Sequence, residues 1–261
     1  MTIDTAEDAV AKSDPDCHSR PLPEDLTGWA LFLDIDGTLL DLAAAPTEVV
    51  VPEWMPGALE RLSRRLDGAL ALVTGRALEN ADELFTPHRF AVAGLHGADI
   101  RFASGQMHMA PRSSFLDPLR NELASLAALN PGLVLEDKQA GVAIHYRLAP
   151  KFGDGLIAKL TNFAEASAGA FEVQLGKMVV EVRPAGANKG TAVTALLSQP
   201  PFQGRKPLAI GDDLTDEAMF VVVNAYGGRA VRVGRPDRPT VATAEVDQAE
   251  DVRNWLERIA A

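Results

Sequence analysis

The feature that most constrains the fold is a set of short apolar runs that each end in polar turn residues. Residues 29–34 (WALFLD) lead into a DGT turn, residues 68–73 (GALALV) into a TGR turn, and residues 207–210 (PLAI) into GDDLTDE. Apolar runs of this length, bounded by turn residues, predict buried strands. Segments with helical spacing of apolar residues lie between them, as in residues 56–66 and 214–224. Alternating strands and helices predict an α/β fold with a parallel sheet covered by helices on both faces.

The middle of the chain has a different pattern. It predicts helices over residues 115–129 and 150–168 and strands over residues 133–136 and 141–148, followed by a hairpin of residues 171–175 and 177–183 that turns at Gly176. Strands that pair through hairpins indicate an α+β domain. We therefore expect a flexible tail over residues 1–26, a discontinuous α/β core of residues 27–103 and 185–261, and an inserted α+β cap domain of residues 104–184.

Composition excludes several function classes. Apolar residues make up 47% of the 261 residues, enough for a sizeable core, and the formal net charge is −11. An acidic chain without basic clusters argues against nucleic-acid or anionic-membrane partners. No signal-peptide core or membrane-length apolar run is visible, and a single cysteine, Cys17, allows no intrachain disulfide. These features fit a cytoplasmic protein.

Residues 34–39 (DIDGTL) carry the sharpest chemical signal. Two carboxylates two residues apart at the end of a strand can face one pocket, where Asp34 could attack phosphorus and Asp36 could protonate the leaving oxygen. Gly37 permits the tight turn, and Thr38 can hold phosphate oxygens. The alternative is a pair of solvated turn acids, which the preceding apolar strand and the following Gly-Thr-Leu make less favourable.

A second acidic segment, residues 211–217 (GDDLTDE), also follows an apolar strand and opens a helix. Its acids would repel one another unless a cation lay among them, and magnesium prefers one or two carboxylates together with phosphate and water. The alternative is a helix N-terminus whose acids complement the macrodipole. That alternative accounts for some of these acids but not for all of them.

Two further segments provide phosphate-binding groups. The Thr74-Gly75-Arg76 turn offers a hydroxyl and free N–H groups at a helix start, and Lys189 could neutralise both Asp34 and a bound phosphoryl group. Each signal alone is weak, since a lysine at a helix start is usually a surface residue. All four segments lie at strand ends or helix starts, where ligands bind in doubly wound sheets, so one pocket can hold them together.

In this order, the four segments resemble the haloacid dehalogenase superfamily of phosphatases. Residues 211–217, 176–184 (GKMVVEVRP) and 95–98 (LHGA) are similar to the trehalose-6-phosphate phosphatase family within it. The resemblance runs from about residue 29 to the C-terminus. It implies a Rossmann-type core with a mobile cap and a Mg²⁺-dependent phosphoric monoester hydrolase that converts trehalose 6-phosphate to trehalose in trehalose biosynthesis. We also expect a monomer that pairs functionally with a trehalose-phosphate synthase.

The resemblance also implies roles for individual residues. Asp34 would be the nucleophile and Asp36 the general acid and then base, while Thr74 and Lys189 would hold the phosphoryl group. The metal ligands would be Asp34, the Asp36 carbonyl and Asp212, supported by Asp213 and Asp216. The substrate-binding residues would be Thr38, Gly75, Arg76, Glu136, Lys138, Arg147, Lys177 and Glu181. Asp99 departs from the family pattern, which has glutamate at that position, and this weakens a sugar contact there.

Three alternatives stay open. The substrate could be sucrose 6-phosphate or mannosyl-3-phosphoglycerate, because related cap-bearing phosphatases act on them. The chain could instead be a catalytically weak sugar-phosphate sensor or regulatory subunit, although a sensor need not retain both Asp34 and Asp36. A phosphomutase would share the nucleophile but would return a phosphorylated sugar instead of free phosphate.

Overall fold

A computed structural model describes residues 22–43, 48–176, 178–235 and 238–261. The chain forms two compact units. The core unit contains the described residues up to Gly97, Arg101–Gln106 and Asn188–Ala261, and the inserted unit contains Ala98–Ile100 and Met107–Ala187. The chain passes between the units at residues 97/98, 100/101, 106/107 and 187/188, and the domain boundaries at residues 103/104 and 184/185 stay a prediction.

The secondary structure follows the chain as four groups of elements. The first group is β1 (Trp29–Leu33), α1 (Met55–Arg65), β2 (Leu70–Val73), α2 (Leu78–Leu84) and β3 (Ala91–Gly94). Two short strands follow, β4 (Asp99–Arg101) and β5 (Met107–His108). The inserted unit then has α3 (Asp117–Leu129), β6 (Val134–Asp137), β7 (Val142–His145), α4 (Gly153–Glu165), β8 (Phe171–Gly176) and β9 (Val179–Pro184). The last group is α5 (Lys189–Leu197), β10 (Lys206–Gly211), α6 (Glu217–Ala225), β11 (Arg229–Val233), β12 (Ala244–Val246) and α7 (Ala249–Ala260).

The core unit is built on parallel strands in the order β12-β11-β10-β1-β2-β3. Leu33 at the end of β1 is in register with Ile210 in β10 and with Leu72 in β2, and all three side chains are buried. Strands buried on both faces read as continuous apolar runs, which is why the sequence predicted them. The predicted α/β class is confirmed. The three strands β1, β2 and β10 are parallel, so their carboxyl ends lie at the same end of the sheet, and the site described below is located there.

Helices α1 and α7 pack together on the core unit. Pro56 lies in the first turn of α1, where its missing N–H costs nothing, and Ala58, Leu59 and Leu62 form a buried stripe. The Nε of Arg61 donates to the carbonyl of Ala260 at the end of α7, over 2.8 Å. A guanidinium at this position satisfies a carbonyl that the helix itself leaves without a donor.

The predicted tail, residues 1–26, is described only from Leu22 onwards. Leu22 and Leu26 are buried, and the indole N–H of Trp255 donates to the carbonyl of Pro23 over 2.9 Å. These last five residues therefore pack onto the core unit instead of forming part of a loose tail. The apolar side chains that bring this about were too few to show a period in the sequence.

The inserted unit is an antiparallel sheet in the order β6-β7-β9-β8, with α3 and α4 packed on one face. Its apolar core includes Leu123, Ile144, Leu160 and Val180. The predicted strand over residues 141–148 is shorter, Val142–His145, and the predicted helix over residues 150–168 begins at Gly153 because Pro150–Phe152 form a 3₁₀ turn. Strands β4, β5 and β12 were not predicted, since runs of two or three residues give no readable alternation.

None of the helices in the described ranges is both long enough and apolar enough to span a membrane.

Candidate active site

The centre of the candidate site is a buried lysine between two carboxylates. Lys189 Nζ donates to Asp34 Oδ1 and to Asp216 Oδ1, both over 2.6 Å. Asp34 follows β1, Asp216 precedes α6, and Lys189 is the first residue of α5, whose N-terminus is capped by Asn188. Three elements that are remote in sequence therefore converge at the carboxyl ends of the central strands, which is where we predicted a pocket from the sequence.

Asp216 is held more completely than the other acids. Its Oδ2 accepts the backbone N–H groups of Asp212 and Asp213 over 3.0 and 2.9 Å, while its Oδ1 accepts Lys189. Gly211 makes this possible, because a Cβ there would lie 2.3 Å from the Asp216 Cγ. Asp216 thus fixes both the turn that carries Asp212 and the ammonium group of Lys189.

A third carboxylate completes a cluster. One oxygen each from Asp34, Asp212 and Asp216 lie within 4.8 Å of one another. Asp213 belongs elsewhere: its Oδ1 accepts the N–H of Leu214 and a guanidinium N–H of Arg238, over 2.7 and 3.0 Å. Among the predicted metal ligands, the structure brings Asp34, Asp212 and Asp216 together by their side chains and leaves Asp213 and the Asp36 side chain outside that group.

The electrostatics of this cluster are unbalanced. Burial raises the pKa of Asp34 well above its usual value, the charges of Asp216 and Asp212 raise it further, and the Lys189 ammonium only partly offsets these effects. Burial alone would lower the pKa of Lys189, but Asp216 and Asp34 together raise it above the ordinary lysine value. At Asp34, burial and the two neighbouring carboxylates thus outweigh the Lys189 ammonium.

These residues fit a divalent cation. Closely spaced carboxylate oxygens from two different strand ends are ligands that Mg²⁺ prefers. Asp34 and Asp212 are the candidates for direct contact, since Asp216 already accepts three hydrogen bonds from protein donors. A cation at this point would also favour the ionised form of Asp34.

Asp36, the second acid of the DIDGTL segment, has a different partner. Arg76 Nε donates to its Oδ2 over 2.7 Å, and Arg76 Nη2 donates to its Oδ1 over 2.6 Å. Thr74 is fully buried, and its Oγ1 accepts the backbone N–H of Arg76 over 3.1 Å. The hydroxyl of Thr38 is buried and has no hydrogen-bond partner within the described ranges. Because buried polar groups are normally hydrogen-bonded, this hydroxyl is a candidate for binding a polar ligand.

Within the inserted unit, two of the predicted sugar-binding residues form a buried ion pair. Lys138 Nζ donates to Glu181 Oε2 over 2.7 Å, and both side chains are less than a tenth exposed. Burial by itself would lower the pKa of Lys138, but the charges of Glu181 and Glu136 raise it. Arg147 is exposed, and Lys177 lies outside the described residues. Asp99 is buried and accepts the N–H of Ala110 over 2.8 Å.

Sequence reasoning missed Arg238 and Arg120, and it left His145 open as either a core or a cap-pocket residue. His145 Nε2 lies 3.0 Å from Glu136 Oε2, and Arg238 pairs with Asp213. Arg120 is buried on α3 and binds Asp137 and the carbonyl of Gln139, so it holds the turn that contains Lys138. The one sequence signal that could have identified Arg120 is an arginine at a position on the apolar face of a predicted helix. An unpaired charge on that face would be costly, so such an arginine is expected to have an acidic partner.

The sequence of this chain is similar to those of known proteins. The family model described as trehalose-phosphatase matches residues 32–249. A probable trehalose-phosphate phosphatase of Sinorhizobium fredii is 51% identical over 92% of this chain and 90% of its own length. The trehalose-6-phosphate phosphatase of Escherichia coli K12 is 39% identical over 91% of this chain and 88% of its own length.

A solved structure shares the fold. The C-terminal domain of Candida albicans trehalose-6-phosphate phosphatase superposes with a TM-score of 0.76 at 24% identity, covering 89% of this chain and 91% of that one. At that identity the likeness concerns the fold alone, while the family model and the two sequence relatives cover most of the chain at higher identity. The chain therefore belongs to the trehalose-phosphatase family.

Proposed function

We propose that this chain hydrolyses trehalose 6-phosphate to trehalose and inorganic phosphate through a phosphoryl group carried transiently by Asp34. The observation that carries the proposal is the convergence of Asp34, Lys189 and Asp212 at the carboxyl ends of neighbouring strands. Family membership and the names of the relatives support the choice of substrate. Their names concern a sugar phosphate, which fits the polar pair in the inserted unit.

In the first step, an oxygen of Asp34 attacks phosphorus. The bond between phosphorus and the sugar oxygen breaks as the Asp34–phosphorus bond forms, and Asp36 gives its proton to the departing sugar oxygen. In the second step, water attacks phosphorus, Asp36 takes a proton from that water, and the bond to Asp34 breaks. Asp34 and Asp36 return to their starting states, and phosphate is released.

Positive charge is needed on the phosphoryl oxygens throughout. Lys189 lies within hydrogen-bonding distance of Asp34, so its ammonium would accompany the group being transferred. The hydroxyls of Thr74 and Thr38 and the backbone at Gly75 would bind the remaining oxygens. Mg²⁺ held by Asp34, the carbonyl of Asp36 and Asp212 would supply further positive charge to the attacked phosphate. Asp216 and Asp213 would support this set by holding the turn at residue 212.

Recognition of the sugar would come from the inserted unit. Glu136, Lys138 and Glu181 present charged donors and acceptors, and a site that hydrogen-bonds hydroxyl groups rejects analogues that lack them. Arg147 and Lys177 are further candidates from the sequence resemblance. We also propose a cytoplasmic monomer that takes its substrate from a trehalose-phosphate synthase.

The test is phosphate release from trehalose 6-phosphate by the purified protein, with Mg²⁺ and after chelation. We expect turnover that needs the metal. The Asp34→Asn variant should keep its circular dichroism spectrum and lose activity by at least about 10⁴-fold, because it lacks the nucleophile.

Three outcomes would contradict the proposal. Faster turnover of sucrose 6-phosphate or mannosyl-3-phosphoglycerate would change the substrate, and a phosphorylated sugar product would indicate a mutase. Undiminished activity in Asp34→Asn would overturn the assignment of the nucleophile.

A further inference from the structure

Arg76 binds Asp36 through two parallel hydrogen bonds. The Nε–Oδ2 and Nη2–Oδ1 distances are 2.7 and 2.6 Å, the fork geometry in which a guanidinium matches a carboxylate. The Arg76 side chain is only 10% exposed, whereas that of Asp36 is 32% exposed. The arginine is therefore the embedded partner, and the aspartate is the one that reaches towards solvent.

The main chain of Arg76 is fixed on both sides. Its N–H donates to the buried hydroxyl of Thr74 over 3.1 Å, and its carbonyl accepts the N–H of Leu95 over 2.9 Å. Gly94 is packed so closely against this carbonyl that a Cβ would lie 2.8 Å from the oxygen. The base from which the guanidinium extends is thus rigid, and it can impose an orientation on Asp36.

We propose that Arg76 is a positioning residue that holds the Asp36 carboxyl group in place for proton transfer. This inference rests on the proposed function, because it assigns a means of control to the acid–base group of that reaction. The Thr74-Gly75-Arg76 turn instead suggested, from the sequence, that Arg76 belongs to a phosphate-binding site. In the structure its fork is committed to Asp36.

A carboxyl group held in this way can still act as an acid. Each of its oxygens has a further lone-pair position beyond the one that accepts Arg76, so a proton can be carried and passed to the sugar oxygen. What the fork removes is free rotation about the bond to the carboxyl carbon. Misplacement of a reacting group by about 1 Å can cost about 10²-fold in rate, so this restraint matters for the transfer.

The two roles of Arg76 make opposite predictions about leaving groups. A sugar alkoxide is a poor leaving group and needs a proton, whereas 4-nitrophenolate leaves without one. A variant that misplaces Asp36 should therefore be defective towards trehalose 6-phosphate and nearly normal towards 4-nitrophenyl phosphate. A variant that loses a phosphate ligand should be equally defective towards both.

The experiment measures kcat/KM for both substrates with the full-length Mg²⁺-loaded enzyme, since kcat/KM reports phosphoryl transfer to Asp34 and not the later hydrolysis. For Arg76→Gln we expect a fall of about 10²–10³-fold with trehalose 6-phosphate and of less than about fivefold with 4-nitrophenyl phosphate. Arg76→Lys keeps the positive charge but not the forked hydrogen bonds. It should show the same difference between the two substrates (the split) to a smaller degree. Asp36→Asn should show the largest split, and adding Arg76→Gln to it should change little.

Arg101→Gln is the matched control, because Arg101 forms a similar fork with Asp82, with distances of 2.8 and 2.5 Å. It should leave both rates close to wild type. An equal fall with both substrates in Arg76→Gln and Arg76→Lys would overturn the proposal and make Arg76 a phosphate ligand. So would additive losses in the double variant.

Failure of the proposed function would look different. In that case the wild-type enzyme would hydrolyse 4-nitrophenyl phosphate but not trehalose 6-phosphate. The split would then be read with glucose 6-phosphate, another phosphate ester with an alkoxide leaving group. If Arg76→Gln did not fold, the lysine variant would decide by the same ratio.

Discussion

At the scale of single residues, the site depends on Lys189. It is buried and is the ammonium group between Asp34 and Asp216, with both oxygens 2.6 Å away. A buried charge without its partner is costly, and here its removal would leave two carboxylates facing each other. We therefore expect Lys189 to stabilise the protein and, in the proposed reaction, to assist phosphoryl transfer as well.

For Lys189→Met we expect the free energy of unfolding to fall by about 3–5 kcal/mol, measured by urea denaturation of the metal-free protein. Activity should fall by about 10²–10³-fold through loss of charge stabilisation. Adding Asp216→Asn removes one of the two uncompensated acids and should restore part of the stability but none of the activity. Unchanged stability in Lys189→Met would show that its charge is not needed to balance the cluster.

The roles of individual residues were predictable where the chemistry of the side chain allows few alternatives. Acids at the ends of apolar strands identified Asp34 and Asp212, and the structure brings their oxygens close together. The partner of Arg76 was not predictable, because a guanidinium suits a phosphate as well as a carboxylate and Asp36 lies 40 residues away. The partner of Asp213 was hidden for the same reason, since Arg238 is 25 residues from it.

At the scale of elements, the turn Leu95–Gly97 ties two parts of the site together. Its three residues have φ values of 48°, 56° and 102°, all in the left-handed region. The N–H groups of Leu95 and His96 donate to the carbonyls of Arg76 and Thr74. On its other side, a Cβ on Gly97 would lie 2.5 Å from the Asn188 carbonyl, directly before Lys189.

The Gly97→Ala variant should therefore lose both stability and activity. The added methyl would push on the backbone that places Lys189, beyond the cost of about 1 kcal/mol for alanine in a left-handed conformation. Gly105→Ala is the matched control, because Gly105 has a φ of 84° but nothing within 4 Å of its Cβ position.

Thermal unfolding and phosphate release of the two variants should separate the effects. Gly105→Ala should lose a little stability and keep its activity. Equal behaviour of the two variants would show that strain alone, without contact at Asn188, accounts for the change.

Elements were predictable in proportion to their apolar content. The strands β1, β2 and β10 are buried on both faces and gave clear runs, whereas β12 has three residues with Glu245 at its centre. The start of α4 was misplaced because Pro150 suits the first turn of a helix, but it opens a 3₁₀ turn instead. Local propensity does not distinguish an α-helix from a 3₁₀ turn at this point, since the two have similar φ and ψ angles.

At the scale of the whole molecule, an acidic chain of net charge −11 concentrates three carboxylates and one ammonium group in one largely buried cluster of its core unit. Folding brings these charges together, so it must overcome their repulsion. A ligand that binds the folded state and not the unfolded one stabilises it through mass action.

We therefore expect Mg²⁺ to raise the Tm of the wild-type protein. At a concentration about 100-fold above its Kd, the stabilisation is about 2.7 kcal/mol, or roughly 5–10 °C for a chain of this size. Asp212→Asn should abolish the shift, whereas Asp213→Asn should retain it, because Asp213 lies outside the cluster and pairs with Arg238. A shift of equal size in Asp212→Asn would place the cation elsewhere.

The order of the core strands has a consequence for synthesis on the ribosome. β1 lies between β2 and β10, and Lys189 follows Asp34 by 155 residues. A nascent chain can pair β1 with β2 early, but the other edge of β1 must wait until the inserted unit and β10 have emerged. Asp34 thus acquires Lys189 as a neighbour only late in translation, and products truncated before β10 are left with an unpaired apolar edge on β1 and an incomplete cluster around Asp34.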